Sequence, residues 1–413
     1  MANWSKLSEH PFYLYKDFRK LYLGRFVSGL GDKVLLISLS WWLISSNAAG
    51  GQLQLGVMMA LTFLPVVLFG PFLGPLVDRF DRRRCMIIAD AIRCFLFLLL
   101  GFLFYTGYTP LPLVFGCCFL AAALIPLFEA ASNSSLLQLT SERHLASAAA
   151  FDSSVIEISN IAGALCVSVL VTVLGQSGIF FFNALTFVVS LLFVATIRIP
   201  LPPQSASMDD PAPESYREQF KSGFSFIWRD KAIFSLLGLF SALNLFISPI
   251  VIFIPIVVKE VLNQSISWVA ALELAMSIGA LLAFVSFSFV KRYKRIYGLY
   301  VTVLAVLCLA FMGLGAFREM AALLLCVFLF GALLAVVNGM SMILFQHGVP
   351  DEMKGRFFAI LKTVCFAVIP VSLLLNGYLA SVWPITGIIW LNGAGGLVLS
   401  LLVLFIPRIA DEI

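Results

Sequence analysis

Four carboxylates, Asp32, Glu129, Glu157 and Glu273, stand inside long apolar runs of this 413-residue chain. A carboxylate held in low dielectric can bind and release a proton near neutrality, which is the chemistry needed to couple solute movement to a proton gradient. Three of the four have polar company at helical spacing. Glu129 goes with Asn133, Glu157 with Ser153 and Asn160, and Asp32 closes an i, i+3, i+4, i+7 series with Arg25, Ser28 and Gly29. A polar stripe of that kind is expected to face the interior of a helix bundle rather than lipid. In the stretch GRFVSGLGDKVLLISLSWW, 24–42, the charges Arg25, Asp32 and Lys33 would each cost roughly 2.5–3.5 kcal/mol at the centre of a bilayer helix. Counting from Leu21, Asp32 sits about 16 Å into the helix, near mid-membrane. Arg25 lies nearer the cytoplasmic end, where it snorkels or pairs, and Lys33 points elsewhere and needs a partner of its own. Asp90 with Arg93, Asp152 and Lys362 fall nearer the cytoplasmic ends of their runs and are read as braces of a gate.

The elements that position these groups follow from composition. The chain is 61% hydrophobic and 12% charged, with 39 Phe, and its mean hydropathy is +1.01. Soluble domains carry about a quarter charged residues, so the class is a polytopic all-α membrane protein. By the criterion of about 20 apolar residues per crossing there are roughly twelve spans, near 21–46, 52–77, 85–106, 110–138, 145–174, 178–198, 232–259, 266–290, 296–317, 320–347, 357–381 and 385–407. Basic residues crowd alternate loops: Lys16, Arg19 and Lys20, then Arg79 to Arg84, and later Arg217 to Lys231 and Lys291 to Arg295. The opposite loops, near 47–51, 107–110, 175–178 and 383–386, are uncharged. That alternation predicts cytoplasmic termini. The Pro- and Ser-rich interval 199–231 reads as a cytoplasmic linker between an N-terminal six-helix bundle, 1–198, and a C-terminal one, 232–413. The second half of the linker suits a short interfacial helix with Phe220, Phe224, Ile227 and Trp228 on its apolar side. Faint similarity between KDFRKLYLGRFVSG, from Lys16, and RDKAIFSLLGLFSA, from Arg229, fits two duplicated halves.

The loop after the second run reads GPLVDRFDRRR, Gly74 to Arg84. It resembles the signature of the major facilitator superfamily, matching at Gly74, Leu76, Asp78, Arg79, Arg82 and Arg83, with Asp81 where the pattern has Gly. The resemblance implies a fold of twelve helices in two six-helix bundles, and a cytoplasmic gate lock in which Asp78 and Arg82 take part. HPFYLYKDFRKLYLGRF and VPDEMKGRFFA, with Pro350, Gly355 and Arg356, are similar to the branch of macrolide-efflux proteins and the enterobactin exporter. The branch's antiporter signature is not recognisable in ISNIAGALCVSV, 158–169, where only Gly163 is suggestive. In the second half, Lys291 stands where an Asp would repeat the loop signature.

These features exclude several functions. There is no phosphate-cradling G-x-x-x-x-G-K-[ST] and no H-E-x-x-H, and no extramembrane segment is long enough for a catalytic domain. The chain is therefore read as no enzyme, with no cofactor and no metal. The basic clusters are accounted for by topology, which leaves nucleic-acid binding without support. The eight cysteines are read as small packing residues. Trp41, Trp42, Phe128, Phe246 and Phe253 are candidates to line a greasy cavity, although packing or lipid contact accounts for most aromatics in such a chain. The expected function is secondary transport of an amphipathic organic compound, a drug or siderophore, across the cell membrane by alternating access. Its partners would be that substrate, protons and the lipid bilayer, the protein acting as a monomer in a bacterial inner membrane by proton-coupled efflux. A lysophospholipid transporter is the alternative within transporters, because Leu30-Gly31-Asp32 resembles the FGD of that group. A membrane sensor or scaffold is the alternative of another class. Proton-coupling or substrate-cavity candidates are Asp32, Glu129, Glu157, Glu273, Arg25, Asn133 and Asn160. Gate candidates are Gly74, Asp78, Arg79, Arg82, Arg83, Asp90, Arg93 and Asp152.

Overall fold

Lipid offers the backbone no hydrogen-bond partners, so apolar runs of this length resolve into helices that satisfy every N–H and C=O internally. The computed structural model describes residues 10–46, 50–77, 80–199, 216–287 and 296–405, and among these it is helical with no strand. A short α1, Pro11–Leu14, precedes α2, Lys16–Ser46; α3 is Gly51–Val77 and α4 Arg82–Tyr105. Next come α5, Leu111–Ala123, and α6, Ile125–Leu139, broken from each other at Leu124 just before Pro126. Helix α7, Leu145–Ala195, follows; then come α8, Tyr216–Arg229, α9, Lys231–Ile247, and α10, Ile250–Ile256, which runs into a π-helical turn at Val257–Val261. The set ends with α11, Ile266–Phe287, α12, Ile296–Ala316, α13, Met320–Gly348, α14, Asp351–Val382, and α15, Ile385–Leu402.

Among the described residues, eleven continuous segments are long and apolar enough to cross a membrane. The difference from the twelve expected lies in α7. Its 51 residues would run about 76 Å if straight, more than two hydrocarbon cores. At Gly175 the backbone turns to φ 66°, a left-handed conformation open to glycine at no steric cost. This break divides α7 into two arms, 145–174 and 176–195, each long enough to span.

The chain forms two compact units, Met1–Trp42 with Leu64–Pro203, and Leu43–Phe63 with Gln204–Ile413. In the first unit α2 is held by both arms of α7. Gly163 lets the first arm approach so closely that a Cβ there would stand 2.7 Å from the Cβ of Lys33, and Gly31 abuts Asn183 and Thr186 of the second arm. The segment HPFYLYKDFRK gains a structural role. His10 caps α1, accepting from Phe12 N at 3.3 Å, while Phe12, Phe18 and Tyr22 gather around Phe151. Tyr15 bonds Ser141 and His144 beyond α6.

In the second unit, α11 and α13 cross at Gly279 and Gly331, each glycine set against the other helix's backbone. Asn376 and Asn392 join α14 to α15 at 2.7 Å. Residues 43–63, which sequence order assigned to the N-terminal bundle, belong to this unit. The physical reason is a backbone approach: a Cβ on Gly56 would stand 2.7 Å from the Leu373 carbonyl, and one on Gly377 would stand 2.8 Å from the Gly56 Cα. Gln52 adds a hydrogen bond to Glu260. The expected linker helix is present as α8. Ile227 is buried, whereas Phe224 and Trp228 are exposed and stacked on each other; Phe220 lies in the helix.

Candidate functional site: an arginine–aspartate pair beside a buried carboxylate

Three helices of the first unit build a polar centre. Helix α2 supplies Asp32, α4 supplies Asp90 and Arg93 one turn apart, and the second arm of α7 supplies Asn183, Thr186 and Ser190 at i, i+3, i+7. The Arg93 guanidinium donates to Asp32 Oδ2 at 2.6 Å, and Asn183 Nδ2 donates to Asp32 Oδ1 at 3.4 Å. Arg93 also lies 4.2 Å over the Phe187 ring, a cation–π contact, while its Nε is buried with no hydrogen-bond partner. Ser190 donates to Asp90 Oδ2 at 2.7 Å. Asp90 is 1% exposed, whereas the Asp32 side chain is 37% exposed.

With both carboxylates ionised, the two acids and one guanidinium carry a net charge of −1 within a protein interior. An uncompensated buried charge costs several kcal/mol, and groups relieve that cost by taking up a proton. Arg93 offsets the charge of Asp32 directly, whereas Asp90 is held by Ser190 with no direct ion pair among the described residues.

The remaining charges of α2 are also matched. Arg25 pairs with Asp152 of the first α7 arm and donates to Ser132 of α6 at 3.4 Å. Glu157, half-buried on the first α7 arm, lies near Lys33 of α2, against which Gly163 of the same arm packs. Each charge in the opening stretch thus has an opposite charge from a neighbouring helix, which offsets the insertion cost that the sequence raised.

Spacing alone set Asp90 and Arg93 apart from Asp32, as a brace for a gate. The structure pairs Arg93 directly with Asp32, beside the second α7 arm on which Gly31 packs at Asn183 and Thr186. Likewise Asp152 faces Arg25, and Arg25 and Asp32 do not converge despite sharing a helical stripe. Glu129 is half-buried and Asn133 exposed, and neither has a polar partner among the described residues. Glu273 is buried, but in the other unit. Asn183, Thr186 and Ser190 went unnoticed in the sequence, although their helical spacing within an apolar run was a usable signal.

Of the gate motif, Asp78 and Arg79 lie outside the described residues and Gly74 lies in α3. Arg82 donates to the Ser134 carbonyl, and Arg83 to that of Ala195 at the end of α7, where a helix terminus attracts a cation. Asp81, the departure from the signature, has φ −63° and caps α4, accepting from Arg83 N at 2.9 Å and Arg84 N at 3.3 Å. Nothing in that geometry requires glycine.

A membrane-spanning helical protein with ion pairs inside its helical core has the features of a solute transporter rather than an enzyme. Comparison with known proteins makes this specific: residues 21–373 match the Major Facilitator Superfamily, and the chain belongs to that family. Macrolide efflux protein A of Streptococcus pyogenes is 24% identical over 88% of this chain and 89% of its own length. The uncharacterized MFS-type transporter YvqJ of Bacillus subtilis is 22% identical over 96% and 93%. Among solved structures, the nucleoside transporter NupG superposes with a TM-score of 0.74 at 13% identity, over 95% of this chain and 99% of that one. At that identity the likeness concerns the fold.

Proposed function

We propose that this transporter exports an amphipathic organic compound, of the macrolide or siderophore kind, across the cell membrane by alternating access in exchange for protons. The observation that supports the proton part is the Asp32–Arg93 ion pair with a second carboxylate, the buried Asp90, one helical turn from Arg93 and bonded to Ser190, which gives the group one negative charge in excess. The efflux part is supported by the macrolide efflux relatives. In the proposed cycle, one proton on the pair makes the cluster neutral and keeps the helices of the first unit closed around it. Loss of the proton leaves an unmatched charge that favours hydration of the cluster. In this cycle the halves 1–198 and 232–413, joined by the linker 199–231, alternate between the two openings while residues 43–63 stay packed in the second unit; the termini are cytoplasmic and the monomer is the working unit. Asp78 with Arg82 and Arg83 secures the cytoplasmic end.

The test is uptake of a radiolabelled macrolide and of a ferric siderophore into inverted membrane vesicles, with and without an inside-acid gradient. Gradient-driven uptake is expected. D32N and D90N are each expected to reduce gradient-driven uptake at least tenfold while protein remains in the membrane. Uptake indifferent to the gradient, or unchanged in both variants, would overturn the proton-coupled reading.

A further inference from the structure

The linker helix α8 presents three faces. Gly223 and Ile227 pack on α14, with Gly223 against Arg356 and Ile360, and Arg356 donates to Ser222 Oγ at 2.8 Å. A second face is aromatic and open. Phe224 and Trp228 stack at 6.1 Å, and Trp228 meets Phe234 of α9 edge-on at 5.2 Å, with Trp228 66% exposed. The third face, Ser222, Ser225, Phe226 and Arg229 at i, i+3, i+4, i+7, lines with Asp230 an open cavity of about 470 Å³.

Charge distinguishes that cavity. Asp230 is committed to capping α9, accepting from Ala232 N at 2.9 Å and Ile233 N at 3.1 Å. Arg229 has no ion pair or hydrogen bond among the described residues, and the same holds for Lys221 and Lys231 beside it. A guanidinium beside a serine hydroxyl suits phosphate oxygens. Exposed Trp and Phe next to basic residues suit the interface between headgroups and acyl chains.

We infer that α8 binds the headgroup of an anionic glycerophospholipid: Arg229 and Ser225 donate to the phosphate in the cavity, and the acyl chains lie along Phe224, Trp228 and Phe234. The nearby Lys221 and Lys231 add attraction to an anionic leaflet. A bound lipid would hold α8 against α14 through the Ser222–Arg356 contact. The site belongs to the second unit, whereas the Asp32–Arg93–Asp90 cluster belongs to the first, and it does not depend on proton coupling.

The experiment is native mass spectrometry of the full-length protein stripped of lipid in a neutral detergent, titrated with phosphatidylglycerol, phosphatidylcholine or soluble glycerol 3-phosphate. Brominated phosphatidylglycerol serves in parallel as a quencher of tryptophan fluorescence. Saturable phosphatidylglycerol adducts are expected, at least tenfold tighter than phosphatidylcholine, with quenching reduced in W228F. R229S should weaken the phosphatidylglycerol adduct about tenfold and R229K much less, while R84S, on an exposed arginine of the first unit, should leave it unchanged. S225A is the second reading if R229S fails to fold, with a severalfold loss expected. Equal binding of both lipids, binding of glycerol 3-phosphate as tight as that of the lipid, or R229S and S225A both matching the parent would each overturn the assignment.

Discussion

Replacing Arg93 by leucine removes the cation paired with Asp32. Its contact with Asp32 is 2.6 Å, with 9% of the Arg93 side chain and 37% of the Asp32 side chain exposed. Charge centres about 4 Å apart attract by about 4 kcal/mol at an effective dielectric of 20. Solvent at the open side of Asp32 reduces the share realised by that pair to about 2 kcal/mol. The Phe187 ring beneath Arg93 at 4.2 Å contributes a further ~1 kcal/mol, so R93L should destabilise the first unit by about 3 kcal/mol. D32N alone should cost less, because the contact of Arg93 with the Phe187 ring remains. The double variant should fall short of additivity by about 2 kcal/mol, the coupling energy of the pair. Cys85, Cys94 and Cys117 are buried in the same unit and Cys308 and Cys365 in the other, so with Cys308, Cys326 and Cys365 replaced by serine a thiol-reactive dye during graded detergent denaturation reports unfolding of the first unit. The exposed Cys166 labels at once and sets the baseline. If R93L and D32N add within about 0.5 kcal/mol, the two residues do not interact and the ion-pair account is refuted.

Other perturbations address the gate and the packing. Asp81 caps α4 through two backbone N–H groups, so D81A should cost about 1 kcal/mol in the same assay. D81G, which restores the signature, should cost only a few tenths; an equal loss in both would dispose of the capping role. A methyl group at Gly377 meets backbone at 2.8 Å, so G377A should destabilise by about 1–3 kcal/mol and slow transport; wild-type stability would contradict the tight crossing of α3 and α14. D78A should impair turnover with normal membrane abundance, and an unaltered macrolide efflux rate would remove Asp78 from the gate.

Apolar length and loop charge carried most of the fold, because lipid leaves the backbone no alternative to helices and each span is specified locally. The family was legible in GPLVDRFDRRR for a similar reason: a short loop motif needs no knowledge of distant contacts. Sequence order, however, placed residues 43–63 with the first bundle, and only the Gly56–Gly377 approach shows that they pack with the second unit. The twelfth span was legible as an uncharged loop near Gly175, yet the left-handed turn that makes it is a property of the backbone. Partnerships among buried charges were the part that one dimension could not supply. Helical spacing says which side chains share a stripe, but a stripe as long as 25–32 touches several neighbours, and which one it meets is set by interhelical packing. That is how Arg25 came to Asp152 and Asp32 to Arg93, and how the uncharged face of Asn183, Thr186 and Ser190 came to complete the cluster.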